Sequence, residues 1–348
     1  MADIDIRVTG HAGRITLNRP KALNALTYDM LRAIEAALEA WRNDDTVKLV
    51  IIDALGDRAF CAGGDIQDLY DTGRAGDFAF GQTFWRDEYR LNARIAEYPK
   101  PYIAFMQGFT MGGGVGVSCH GSDRIVGESS QIAMPECGIG LVPDVGGSEL
   151  LAAAPGRLGN YFGVTAARMS AWDAIYCGFA DHYVPELMWP DLIAALENDD
   201  DISVITKFAA PVEEAPIRAN ESEINQLFAA ETLIEIEVAL QKSSSEFAAQ
   251  TLKAIRRNSP LSAAVAIEML RRLRRDGGIR AALHLEYRYT FRAMEHGDFL
   301  EGIRAQIIDK DRNPSWRHAA ISDVTSENIT FMLSPLGDDS LNLKEQLS

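Results

Sequence analysis

Tyr102-Ile-Ala-Phe-Met-Gln-Gly-Phe-Thr-Met-Gly-Gly-Gly-Val-Gly116 carries the reading on which the fold turns. Its first five residues form a continuous apolar run of buried-strand length, and the rest is a glycine-rich turn. Similar runs stand on either side. Arg14-Ile-Thr-Leu-Asn, Lys48-Leu-Val-Ile-Ile-Asp and Asp123-Arg-Ile-Val-Gly also read as strands. Between the first two, Thr27 can cap a helix whose apolar positions Leu31, Ile34, Leu38 and Trp41 recur at helical spacing. Strands separated by helices require crossover connections, so the expected fold class is α/β with a mainly parallel sheet.

The composition changes near residues 195–220. Glu197-Asn-Asp-Asp-Asp and Pro211-Val-Glu-Glu-Ala-Pro suit an exposed linker and no element interior. Beyond them the chain reads helical. Ile224, Leu227, Phe228 and Ile234 fit one helical face, and Ser259-Pro260 marks a helix start. Gly277-Gly278 marks a stop, after which a helix through Leu283, Tyr287 and Phe291 runs to Gly297. Two regions are expected, an α/β core over 1–200 and a helical region over 201–348.

The 348 residues are 47% hydrophobic and 24% charged, the proportions of a globular protein able to offset its chain entropy. A formal net charge of −16 argues against nucleic acid as a partner, because counterion displacement needs a cationic face. The charge is segregated, with nine arginines against three acidic residues between Arg256 and Arg292. These arginines either offset an anionic ligand, or face solvent or pair with acidic neighbours. No stretch approaches the roughly 20 apolar residues of a membrane span, so no membrane partner is expected. Met1-Ala-Asp-Ile-Asp lacks the basic and apolar parts of a signal peptide. Cys61, Cys119, Cys137 and Cys177 form no CxxC pair, which leaves a reduced, cytoplasmic setting as the default. Neither GxGxxG nor GxxxxGK occurs, and no HxxxH spacing points to a metal. Gly116-Val-Ser-Cys-His120 misses the GxSxG pattern of a nucleophile elbow.

Three segments carry candidate chemistry. They are Ala59-Phe-Cys-Ala-Gly-Gly-Asp65, the glycine turn at 107–116, and Ala133-Met-Pro-Glu136-Cys-Gly-Ile-Gly-Leu-Val-Pro-Asp144-Val-Gly-Gly147. Glycine turns after strands can offer backbone N–H groups that no side chain blocks. Two such donors on one oxygen make an oxyanion hole, and a helix opening at the second turn adds its dipole. Glu136 and Asp144, each following a proline, could bring carboxylates to the same chemistry. Taken singly, glycine clusters are tight turns, loop carboxylates are solvated and cysteines are small buried hydrophobes. Phe84, Trp85 and Tyr89 fit core and ligand contact equally. The three segments together, in this order, favour a site.

In that order they resemble the signatures of the crotonase, or enoyl-CoA hydratase/isomerase, superfamily. Ile15-Thr-Leu-Asn-Arg-Pro-Lys-Ala-Leu-Asn-Ala-Leu26 and the ending Glu301-Gly-Ile-Arg-Ala-Gln-Ile-Ile-Asp-Lys-Asp-Arg-Asn-Pro-Ser-Trp316 extend the likeness over most of the chain. The resemblance implies a spiral core of ββα turns with a helical C-terminal region, and an acyl-CoA substrate. It implies that Gly64 and Gly113 hold the thioester oxygen, and that Lys21, Ala22 and Leu23 with Ala62 and Gly63 embrace CoA. CoA then belongs to the substrate, and no separate cofactor or metal is expected. A homo-oligomer, trimer or dimer, stays open.

One departure decides the branch. Hydratases of this superfamily carry a glutamate in Gly-Gly-Gly-x-Glu, and here that position is Gly116. Glu136 remains, and Asp144 stands where typical hydratases are not acidic. The pattern resembles the hydrolase branch, with thioester hydrolysis of a short 3-hydroxyacyl-CoA as the expected reaction. Glu136 would attack the carbonyl or activate water, and Asp144 would bond the 3-hydroxyl. Isomerase or weak hydratase activity is the alternative, and intact Glu136 argues against a non-catalytic scaffold.

Overall fold

The structure, a computed structural model, describes residues 2–199 and 201–343. Met1 of the N-terminal reading and Asp200 of the linker reading lie outside the described residues. The chain forms two compact units built from interleaved segments. One comprises Met1–Asp65, Leu91–Ala133 and Arg168–Pro216, the other Ile66–Arg90, Met134–Ala167 and Ile217–Ser348. This division differs from the 1–200 and 201–348 regions expected from composition. The reason is packing: helices Gly147–Ala153 and Leu158–Thr165 contact helix Pro260–Leu273, and helix Gln67–Arg74 contacts helix Phe299–Ile303.

Among the described residues the first unit holds nine strands in two sheets. The larger runs β1 (Ile4–Thr9), β2 (Ala12–Leu17), β3 (Leu49–Ala54), β5 (Tyr102–Met106), β7 (Asp123–Val126) and β9 (His182–Tyr183). Only β1 and β2 pair antiparallel, joined by a tight hairpin; the other pairings are parallel. The smaller sheet orders β4 (Ala59–Cys61), β6 (Phe109–Met111) and β8 (Gln131–Ala133), also parallel. The four strands read from the sequence are β2, β3, β5 and β7; β2 and β5 are buried along their whole length, while Asp53-Ala54 of β3 and Asp123-Arg124 of β7 are half-buried. The short β4, β6 and β8 escape such a reading because three residues show no period. Thr27 caps helix Tyr28–Arg42, accepting from Met30 N–H (3.2 Å), and Leu31, Ile34, Leu38 and Trp41 are buried as expected.

The core on one side of the large sheet contains Leu49, Ile51, Ile103, Phe105 and Ile125 against Trp189, Leu192 and Leu196. Trp189 meets Phe105 edge-on with ring centroids 5.3 Å apart, and its indole N–H donates to Val184 C=O (2.8 Å).

The second unit is helical. Ser259 caps helix Pro260–Leu273 through Ser262 N–H (3.1 Å), and helix Ile279–His296 ends at Gly297. The expected single face through Ile224, Leu227, Phe228 and Ile234 is corrected. Helix Arg218–Leu227 stops before Phe228, and a capping box of Thr232 with Glu235 starts helix Leu233–Lys242, leaving Ile234 exposed. Gly277-Gly278 does not end the preceding helix, which closes at Leu273; Gly278 instead opens the next one. Among the described residues no helix is long and apolar enough to cross a membrane.

Candidate active site

In the first unit the candidate groups belong to the backbone. Pro20–Ala22 forms a single 3-10 turn, followed by Leu23 and Asn24 in left-handed conformation (φ 51° and 54°). Buried Asn24 fixes this turn: its carboxamide accepts from Arg19 N–H (2.8 Å) and donates to Leu55 and Ala59 C=O (3.0 and 2.9 Å). Two sequence-predicted stretches are thereby joined, since Ala62 N–H donates to Leu23 C=O (3.0 Å). Leu26 N–H donates to Gly63 C=O (2.9 Å) and Asp65 N–H donates to Leu26 C=O (2.7 Å). In this parallel pairing the N–H of Gly64, between them, faces the opposite way.

Gly113 opens helix Gly113–Ser118, so its N–H has no acceptor within that helix. Gly114 has to be glycine, because a Cβ there would lie 2.4 Å from Cys61 C=O. Gly64 lies three residues beyond the end of β4 and Gly113 two beyond the end of β6, and β4 and β6 are neighbours in the small sheet.

In the second unit the candidate groups are side chains. Glu136 begins the 3-10 turn Glu136–Ile139 and is 4% exposed, as is Asp144. Neither is a solvated loop carboxylate. The Met134–Gly140 loop is held by Ser259 N–H on Cys137 C=O (2.9 Å), Cys137 Sγ on Gly163 C=O (3.3 Å) and Tyr289 OH on Gly140 C=O (3.2 Å). Among the described residues Glu136 Oε2 has no hydrogen-bond partner although it is sealed from solvent. Burial first, and then the charge of Asp144, push the Glu136 carboxyl well above its ordinary range. Burial and Glu136 likewise push the Cys137 thiol up, which removes it as a nucleophile.

Two further carboxylates belong to this cluster, and neither was found from sequence. Glu88 and Glu286 are 3% and 0% exposed. Burial and the charges of Asp144 and Glu286 raise Glu88; burial pushes Glu286 up to about 8, against the pull of its Ser148 and Gly146 donors. Asp144 is also raised by burial, while the hydrogen bond from Tyr89 OH (2.8 Å) draws it back. Tyr89 is fully buried and keeps its proton, so it acts as a donor to Asp144. Its place among core and ligand contacts is thus settled as a polar one. Phe84 and Trp85 are buried, with Trp85 packed on Phe299 at 5.4 Å. A signal for Glu286 existed: it falls within the helical stripe Leu283, Tyr287, Thr290 and Met294, where a charge is out of pattern.

The arginine-rich stretch is largely partnered. Arg271 and Arg272 bind Glu268 (2.7 and 2.8 Å), Arg256 binds Glu237 (2.8 Å), and Arg274 binds Asn160 (2.5 Å). Pairing with acidic neighbours accounts for three of these, Arg256, Arg271 and Arg272, while the partner of Arg274 is neutral. Among the described residues no three His, Cys, Asp or Glu side chains are placed to hold a metal.

The pattern of an enoyl-CoA hydratase/isomerase family matches residues 12–333. The chain belongs to that family. It is 38% identical over 357 residues to the chicken (Gallus gallus) protein named 3-hydroxyisobutyryl-CoA hydrolase, mitochondrial, covering 98% of this chain and 91% of the relative. Two solved structures superpose closely. One, named an enoyl-CoA hydratase from Rhodobacter sphaeroides 2.4.1, is 57% identical with a TM-score of 0.93, covering 98% of this chain and all of the other. The second, named a carnitinyl-CoA dehydratase from Mycobacterium thermoresistibile, is 39% identical with a TM-score of 0.94 over 99% of both. Membership of the family and these matches bear out the crotonase-like fold expected from the motifs.

Proposed function

We propose that the protein hydrolyses the thioester of a short 3-hydroxyacyl-CoA, 3-hydroxyisobutyryl-CoA foremost, releasing 3-hydroxyisobutyrate and CoA as in valine catabolism. The observation that carries this reading is Glu136, buried with an unbonded carboxylate oxygen, beside an equally buried Asp144. At the position where a hydratase keeps its second glutamate stands Gly116, which has no side chain. The hydrolase name of the chicken relative supports the same choice.

In the proposed mechanism the N–H groups of Gly64 and Gly113 bond the thioester oxygen and stabilise the charge that develops on it. One such donor is worth about 3–4 kcal/mol in a well-studied hydrolase. The Glu136 carboxylate, made more basic by burial, either attacks the carbonyl carbon or takes a proton from the attacking water. In the first case the C–S bond breaks, CoA leaves as thiolate and takes a proton, and water then cleaves the resulting anhydride. In the second the hydroxide adds directly and the same bond breaks. Asp144, held by Tyr89, bonds the 3-hydroxyl and aligns the acyl group. Lys21, Ala22 and Leu23 with Ala62 and Gly63 hold the CoA portion, a role supported by the bond that joins the two stretches. No cofactor besides the substrate's own CoA takes part in these steps.

A panel of acyl-CoA thioesters scored for free thiol tests the reading. The expected result is fastest release from 3-hydroxyisobutyryl-CoA, with 3-hydroxypropionyl-CoA second. Isomerase or weak hydratase activity is the alternative, and the hydratase and dehydratase names of the two solved relatives support its hydratase part. Double-bond migration or hydration of an enoyl-CoA without thiol release would establish that alternative. Single turnover in oxygen-18 water separates the two hydrolytic routes, since label in Glu136 marks the anhydride.

Four free, buried cysteines support a reducing compartment, here proposed as the cytoplasm, whereas the chicken relative's name places that protein in mitochondria. A homo-oligomer, trimer or dimer, is also proposed, to be read from sedimentation.

A further inference from the structure

The segment Pro143-Asp144-Val145-Gly146-Gly147 makes a turn that is unfavourable by itself. Val145 and Gly146 both sit in left-handed conformation (φ 53° and 79°), and for a β-branched residue that is a strained state. Gly147 N–H donates to Asp144 C=O (2.7 Å), and a Cβ at Gly147 would meet Met134 Cε at 2.4 Å. Something outside the turn has to hold it. Glu286, fully buried on helix Ile279–His296, accepts Gly146 N–H at Oε2 (2.8 Å) and Ser148 N–H at Oε1 (3.2 Å). The Ser148 hydroxyl also donates to Oε1. One turn further along that helix, Thr290 Oγ1 lies 3.5 Å from Tyr89 OH, the group that donates to Asp144.

We propose that Glu286 is a positioning residue of this site: its carboxyl group ties Gly146 and Ser148 into the turn that aims Asp144, while Thr290 on the same helix steadies Tyr89. A capping role for helix Gly147–Ala153 alone would not need a charge beside Asp144. A carboxyl group is suited here because both of its oxygens accept, Oε2 from Gly146 and Oε1 from Ser148, whereas a carboxamide has one acceptor atom. The proposal rests on the thioesterase reading for its kinetic consequence and on geometry alone for the turn.

The experiment compares E286Q and S148A, each alone and with D144N, for kcat and KM of thiol release from 3-hydroxyisobutyryl-CoA. Hydrogen exchange of the amides of Gly146 and Ser148 is followed alongside. E286Q is expected to lower kcat roughly 10- to 100-fold with KM changed less than about twofold, as misaim of a bound acyl group should. In the D144N background E286Q should add less than about threefold, because Glu286 acts through Asp144. Exchange at both amides should speed up in E286Q. S148A, which keeps the carboxylate and removes one donor, should lose a few-fold in kcat and decides the matter even where E286Q does not fold. Wild-type kcat in either single variant, full additivity with D144N, or unchanged exchange at Gly146 and Ser148 would overturn the proposal. A wild-type protein that releases no thiol from any acyl-CoA defeats the functional reading instead, while exchange still decides whether Glu286 holds the turn.

Discussion

In the sheet-bearing unit, Arg14 on β2 is buried between Asp53 and Glu197, and Thr16 Oγ1 adds a bond to Asp53 (2.6 Å). In the helical unit, Glu88, Glu136, Asp144 and Glu286 are buried together, and among the described residues none has a Lys or Arg ion-pair partner. The first arrangement neutralises charge where structure needs it. The second leaves like charges facing one another, so some of these carboxyls hold protons at neutral pH. Buried charge that is compensated serves stability, and buried charge that is not compensated is better explained by chemistry.

The sharpest way to break this contrast is D144N. If Asp144 orients the acyl group, thiol release should fall about 100-fold, while the fold is kept, because an asparagine still accepts from Tyr89. A near-normal rate measured at saturating substrate would remove Asp144 from the reaction. In the other unit the equivalent change acts on stability. R14M strands two carboxylates and should destabilise by about 3 kcal/mol in denaturant unfolding, with little change in thiol release by the folded fraction.

The pH dependence of stability sharpens the contrast further. A carboxyl raised in the folded state keeps its proton while the unfolded chain has already released it. Stability therefore falls as pH rises from about 4 toward the raised value, by up to about 1.4 kcal/mol per pH unit for each such group. With Glu286 at about 8, E286Q should flatten the loss seen in the wild type between pH 5 and pH 8. Parallel curves from thermal melts across that range would count against the uncompensated cluster. The smallest effect belongs to the backbone side. G114A drives a Cβ against Cys61 C=O, and about 1–3 kcal/mol of stability should be lost.

Much of this was legible in the residues. Buried strands advertise themselves as apolar runs, the Thr27 and Ser259 caps mark helix starts, and the glycine turns pointed to backbone donors, of which the family resemblance implies Gly64 and Gly113. Glu136 and Asp144 were readable as candidates because proline and glycine surround them. Glu88 and Glu286 were not read, and Tyr89 was read only as core or ligand contact, since each lies within a helix more than 40 residues from the motif it serves. Their role depends on which helix faces packs behind the 144–148 turn, and sequence spacing within one helix does not encode that partner. The interleaving of segments between the two units has the same cause.

The central claim is that Glu136 performs thioester hydrolysis from within an uncompensated carboxylate cluster. Its most direct test is free thiol released from 3-hydroxyisobutyryl-CoA by wild type and by E136Q under saturating substrate. The account predicts release by the wild type and a loss of roughly 10²–10⁴-fold in E136Q; equal rates in the two proteins would contradict it.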